Sequence, residues 1–197
     1  MRTTSTILRH RHHATLLAAA VVAQISITFL GTSQVQAQTA GDRAFLAWAV
    51  QIEIQQQDMG RIAERRAQTA AVREFGGYLV QRHQQAQQRL ETVANRLGAA
   101  LSSKLSATHL RVQSRFRSIP SASFDRAFIR HEIGDYRYFL QHFEAASRTG
   151  GPLVRQYAAS EIANLREDQA KIAALAAGAR LRSRFLAASL RGSFRPS

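Results

Sequence analysis

The stretch VREFGGYLVQRHQQAQQRLETVANRL, residues 72–97, decides the fold. Its apolar residues fall at Phe75, Leu79, Ala86, Leu90, Val93 and Leu97, a three-and-four spacing that draws one stripe down a helix. His83 takes a slot in that stripe where an apolar side chain belongs. Gly98 follows as a stop signal.

The same periodicity recurs on either side. A helix from about Asp42 to Arg66 carries Phe45, Trp48, Ile52, Met59 and Ile62 or Ala63 on one face, with Asp42 placed as its cap and Gln56 on that same face. A third, capped by Ser123, runs Phe124, Phe128, Glu132, Asp135 or Tyr136, Phe139 and Phe143 to Thr149-Gly150-Gly151. Pro152 sits in the first turn of a fourth, where its missing amide hydrogen costs nothing. That stripe reads Val154, Tyr157 or Ala158, Glu161, Leu165, Asp168, Ile172 and Leu175, and Gly178 is its expected end. Only three prolines occur, and no alternating run of strand length appears, so the chain reads as all-α. Four helices of roughly 25 residues form a four-helix bundle, with a short extra helix over 105–116 in the connection between helices 2 and 3. That connection permits either an antiparallel turn or a crossover along the bundle.

The N-terminus has Arg2, Arg9 and Arg11 without an acid, then an apolar run from Ala14 to Gly31, then VQA ending at Ala37. This is the pattern of a secretory signal peptide cleaved after Ala37. The expected organisation is a signal peptide over 1–37, a bundle domain over 38–178 and a basic tail over 179–197. No cysteine occurs, which excludes disulfides, thiolate metal sites, cysteine nucleophiles and a lipoprotein anchor. The mature chain would hold 24 basic residues against 13 acidic ones, a net charge of +11. Such a surface favours polyanions. The tail adds Arg180, Arg182, Arg184, Arg191 and Arg195, interleaved with Leu181, Phe185, Leu186 and Leu190.

Three segments, FLAWAVQIEIQQQDMGRIA, VREFGGYLVQRH and FDRAFIRHEIGDYRYFLQHFEAAS, resemble the exported bacterial family known as domain of unknown function 4142, whose members are often labelled predicted outer membrane proteins. The resemblance covers about residues 42–177 and implies a ferritin-like four-helix bundle without an established enzyme activity. This chain departs from the family pattern at several positions. Gln56 stands where the family usually has glutamate, and Arg82-His83 stands for aspartate-histidine. Asp135-Tyr136 also stands for aspartate-histidine, while Ala163 and Asp168 replace a proline and a later histidine.

The polar residues on the core faces make a candidate layer of Gln56, His83, Glu132, Asp135, Tyr136, Glu161 and Asp168. Two uses compete for it. One is a hydrogen-bonded layer in which His83 pairs with Asp135 or Asp168 and Tyr136 caps the network. The other is a divalent or iron-type metal site on His83, Asp135 and Asp168, whose donors would have to converge to about 2.0–2.2 Å of an ion. The Glu-x-x-His pairs of di-iron bundles are missing from the core faces. His131, Asp135 and His142 lie roughly on one side of the third helix as boundary residues, and His109 sits in the connection. No phosphate loop, Gly-x-Ser-x-Gly elbow or His-Glu-x-x-His pair is present.

These observations favour a non-catalytic exported bundle protein of the bacterial envelope, periplasmic or associated with the outer membrane, engaging anionic envelope components or a protein partner. The alternative is a metal-binding or metal-dependent redox protein of ferritin-like type using His83 with Asp135 and Asp168. No other cofactor, no nucleic-acid partner and no membrane span after signal cleavage are expected.

Overall fold

A computed structural model describes the backbone of residues 39–192 and the side chains of residues 39–181. The expected signal peptide, and the side chains of Arg182, Arg184, Arg191 and Arg195, lie outside the described residues. Five helices and no strand occur among the described residues: α1 (Ala40–Arg66), α2 (Ala70–Arg96), α3 (Ala107–Ser118), α4 (Ser121–Thr149) and α5 (Pro152–Gly192).

Helix boundaries follow local chemistry, with three differences from the expectation. The cap of α1 is Thr39: its hydroxyl accepts from the Asp42 amide at 3.0 Å, and the Asp42 carboxylate accepts from the Thr39 amide at 3.2 Å, a reciprocal capping box. Asp42 also accepts from the Gly151 amide at 2.8 Å, which pins the start of α5 to the start of α1. Helix α4 begins two residues before Ser123, directly after Pro120, because Pro120 already sets an extended entry. Helix α5 runs through Gly178 to Gly192, since a lone glycine in a helix costs only about 1 kcal/mol. Gly98, at φ 65°, stops α2 as the sequence predicts.

Short joints of three residues (67–69) and two residues (150–151) make antiparallel hairpins of α1 with α2 and of α4 with α5. The connection between them is a crossover. Leu97 at the end of α2 shares a cleft with Thr39 and Asp42 at the start of α1, whereas the Arg66 guanidinium at the end of α1 donates to the Ile119 carbonyl at 2.5 Å. The chain therefore returns the length of the bundle between α2 and α4, and those two helices run parallel. Asp125 of α4 closes the far end by accepting from the amides of Gln68 and Thr69 at 2.8 and 2.9 Å and from the Thr69 hydroxyl at 2.7 Å.

Helix α3 fills the crossover and lies along α1. Gln51 bonds Lys104 and Ser106, and the Gln113 amide donates to Gln55 at 3.2 Å and Asp58 at 2.9 Å. This cover is why the middle of α1 is buried on nearly every side, including Glu53, Gln55, Gln56 and Gln57. On α4 the predicted stripe is the core: Phe124, Phe128, Tyr136, Phe139 and Phe143 are all buried.

Helices α1 and α2 touch through glycine. A Cβ on Gly60 would stand 2.5 Å from the Gly76 carbonyl oxygen, and one on Gly76 would stand 2.7 Å from the Gly60 oxygen. Both neighbours are helix backbone and cannot turn aside. Gly60→Ala and Gly76→Ala should each destabilise the fold by about 1–3 kcal/mol, despite alanine's better helix propensity. Gly134→Ala on α4, with nothing within 4 Å of the added carbon, should stabilise by about 0.5–1 kcal/mol. Urea unfolding of the three variants checks the contrast, and equal effects at Gly76 and Gly134 would refute the close approach.

Candidate functional site

At the level of residues 82–83 on α2, polar side chains from all four long helices meet inside the bundle. His83 is 2% exposed. Its Nδ1 lies 2.7 Å from Glu53 Oε2 on α1, and its Nε2 lies 2.8 Å from the Tyr136 hydroxyl on α4. A carboxylate oxygen accepts, so the bond is drawn with Nδ1–H donating to Glu53. Burial, and then the charge of Asp168, pushes the Tyr136 pKa well above its usual range, so Tyr136 keeps its proton and can donate to Nε2. Network accounting thus assigns a ring that donates to Glu53 and accepts from Tyr136.

The adjacent Arg82 faces α5. Its Nη2 bonds Glu161 Oε2 at 3.0 Å, and its Nε stands 3.5 Å from Asp168 Oδ2. Burial works against the charge of Arg82, but the hydrogen bond with Glu161 and the negative charges around it outweigh burial and raise its pKa. Glu161 is nearly enclosed and accepts from Arg89 Nε at 2.6 Å, from Arg82 and from Asn164 at 3.1 Å. Burial raises its pKa, yet these donors prevail and hold it below the usual carboxylate range. Asp168 accepts from the Tyr78 hydroxyl at 2.5 Å. Here burial wins over Tyr78 and Arg82, and the pKa of Asp168 is raised.

A second cluster lies towards α3. Gln56 donates to Asp135 Oδ2 at 3.3 Å, and His131 Nε2 stands 3.3 Å from the same oxygen. Beside them both oxygens of the fully enclosed Glu132 have no hydrogen-bond partner among the described residues. Burial, and then the nearby Asp135, push Glu132 well above the usual range, so it is held as the neutral acid. Burial pushes Asp135 up to about 7. Burial and the charge of Arg115 push His131 down to about 4.

Of the candidate layer, Gln56, His83, Glu132, Tyr136, Glu161 and Asp168 are buried, and Asp135 is partly exposed. The structure does not bring His83, Asp135 and Asp168 together. His83 is engaged by Glu53 and Tyr136, Asp135 by Gln56, and Asp168 by Tyr78 and Arg82. Among the described residues no group of three or more histidine or acidic side chains is placed to hold an ion. Both ring nitrogens of His83 are already occupied, and a guanidinium supplies positive charge between Glu161 and Asp168, so this donor set does not fit a metal. His142 stacks on Trp48 at 4.7 Å between ring centroids, away from His131, while His109 lies within α3.

Residues 30–181 match the family described as Domain of unknown function (DUF4142). The chain belongs to this family. Among solved structures it is similar to the crystal structure of a DUF305 fragment from Deinococcus radiodurans, with 16% identity and a TM-score of 0.62. That match covers 71% of this chain and 97% of the fragment, and it speaks for the helical fold alone. No curated protein matches the chain.

Glu53, Tyr78, Arg82 and Arg89 escape the sequence reading. Glu53 precedes Gln56 by three residues and therefore shares its face, a signal masked by apolar residues all around α1. Arg82 sits beside the stripe and reads as solvated. Only the acids across on α5 bring it inside.

Two predictions follow from the layer's partners and charges. Arg82→Met leaves the buried Asp168 without its cation and Glu161 with Arg89 alone, and should cost about 3–5 kcal/mol, whereas Tyr136→Phe orphans one ring nitrogen and should cost about 1–3 kcal/mol. Urea midpoints measure both, and a loss in Arg82→Met no larger than in Arg96→Met would contradict the buried pairing. Asp135 holds its proton to about pH 7 when folded but to about 3.9 when unfolded. At this site the folded state therefore binds more protons between those values, and the contribution of Asp135 to stability falls as pH rises through that window. Asp135→Asn should match the wild type near pH 4 and exceed it at pH 8 by about 1–3 kcal/mol; a constant difference across the range would refute the shift.

Proposed function

We propose that this chain is a non-catalytic, exported helical-bundle protein of ferritin-like type that engages anionic components of the bacterial envelope. The observation that carries the reading is the self-contained pairing around His83 and Glu161. Both His83 ring nitrogens and both Glu161 oxygens are paired within the bundle, which leaves this part of the polar core in structural use. The parallel course of α2 and α4, with one long crossover, supports the ferritin-like assignment. The arginine-rich composition supports an anionic partner, and the leader pattern ending at Ala37 supports export. Among the described residues no helix is long and apolar enough to cross a membrane, so contact with a bilayer would be made from its surface.

Binding of the mature chain to vesicles containing phosphatidylglycerol, and to lipopolysaccharide, tests this reading. Affinity should fall steeply between low salt and about 0.5 M salt as the Debye length contracts. Absent binding, or binding indifferent to salt, would overturn it. N-terminal sequencing of the protein from the cell envelope should begin at Gln38.

A further inference from the structure

Along the first half of α4, facing α5, runs a groove of about 580 Å³. Ile129, Ile133 and Ala176 make its apolar floor, and Arg126, Arg130 and Arg180 stand at its rim. Among the described residues no acidic side chain lines it. Arg126 and Arg130 are one helical turn apart, both exposed, and neither has an ion-pair partner among the described residues. Arg82, Arg89 and Arg166 show the contrary case, each bonded to glutamate.

Two further observations narrow the ligand. Of the 27 basic residues only Lys104 and Lys171 are lysines, and the guanidinium fork binds phosphate oxygens in pairs where an ammonium offers a point charge. The helix that supplies Arg180 also exposes an apolar side chain directly after it. Leu181, next to Arg180, is 53% exposed, and α5 carries on to Gly192 through a segment holding Arg182, Arg184 and Arg191 without an acid. Arginines flanking an apolar floor match an anionic amphiphile better than an acidic protein surface, which would leave the floor uncovered.

We propose that the α4–α5 groove is a docking site for anionic phospholipid at a bilayer surface. Arg126, Arg130 and Arg180 bind the head-group phosphates, and Ile133 meets the upper part of the acyl chains. This inference rests on the envelope reading above and assigns it a place on the molecule.

The test compares the mature chain with Arg126→Glu/Arg130→Glu and with the charge-matched pair Arg96→Glu/Arg111→Glu, whose exposed side chains lie on α2 and α3. Binding is measured on vesicles of phosphatidylglycerol with phosphatidylcholine, and circular dichroism confirms that each variant is folded. The groove pair should bind at least about tenfold more weakly, and the control pair within about threefold of the wild type. Ile133→Gln should weaken the binding that persists at high salt. Equal losses in both charge-reversed pairs, or none in the groove pair, would overturn the site while leaving the envelope reading standing. Polyglutamate binding that depends on Arg126 and Arg130, without vesicle binding, would overturn the lipid assignment in favour of an acidic protein partner. Failure of the wild type to bind either vesicles or lipopolysaccharide would overturn both proposals.

Discussion

Residues 82 and 83 of α2 tie the bundle together. His83 reaches α1 through Glu53 and α4 through Tyr136, while Arg82 reaches α5 through Glu161 and Asp168. Two consecutive residues thereby engage all three other long helices. Each contact needs one axial register, because sliding any helix by a single turn, about 5.4 Å, moves its polar partner out of reach. Apolar side chains would tolerate such a slip far better. The polar layer therefore selects one arrangement among many of similar apolar burial, in keeping with a role for buried polar groups in specificity more than in net stability.

The layer's charges are arranged to make that selection affordable. Glu161 keeps its charge because three side chains donate to it, and Arg89, partly in solvent, shares the task with the enclosed Arg82. Where donors are missing the answer is neutralisation. Among the described residues neither oxygen of Glu132 has a partner within hydrogen-bond distance, and burial outweighs the nearby Gln56 and holds it protonated, while Asp135 beside it is shifted in the same direction by burial. One bundle thus shows both solutions to a buried carboxylate, pairing on the α5 side and protonation on the α3 side, and the difference comes from the position of Arg82.

Periodicity made the helices legible because burial is one-sided on α2 and α4. Phe75, Leu79, His83 and Leu90, and Phe124 through Phe143, occupy the faces their spacing assigns. On α1 the method loses resolution: α3 covers its outer side, so Gln55 and Gln57 are as enclosed as Ile52, and the Glu53 that holds His83 is hidden among them. The partners of His83 were beyond reach for a related reason. A stripe says which residues face inward, but the pairing of inward residues depends on relative height, which the 98–122 connection sets by crossing the bundle. Helix ends were legible where the signal acts within its own turn, as at Gly98, and less so where distant groups take part, as at Asp42 with Gly151.

Four side chains bear on what the layer is for. Gln56, Arg82, Tyr136 and Asp168 all touch other members of the layer. Gln56 donates to Asp135, Tyr136 meets His83, and Arg82 stands between Asp168 and Glu161. An arginine in the interior is tolerable only with acids opposite it, and Asp168 together with Glu161 meets that need. A tyrosine beside a histidine offers a hydroxyl in place of a second imidazole, which here completes a hydrogen bond to the ring. The four side chains are thus mutually compatible as an internally paired layer. What remains available to a partner is the exterior, where arginine is abundant and, along the α4–α5 groove, free of acids.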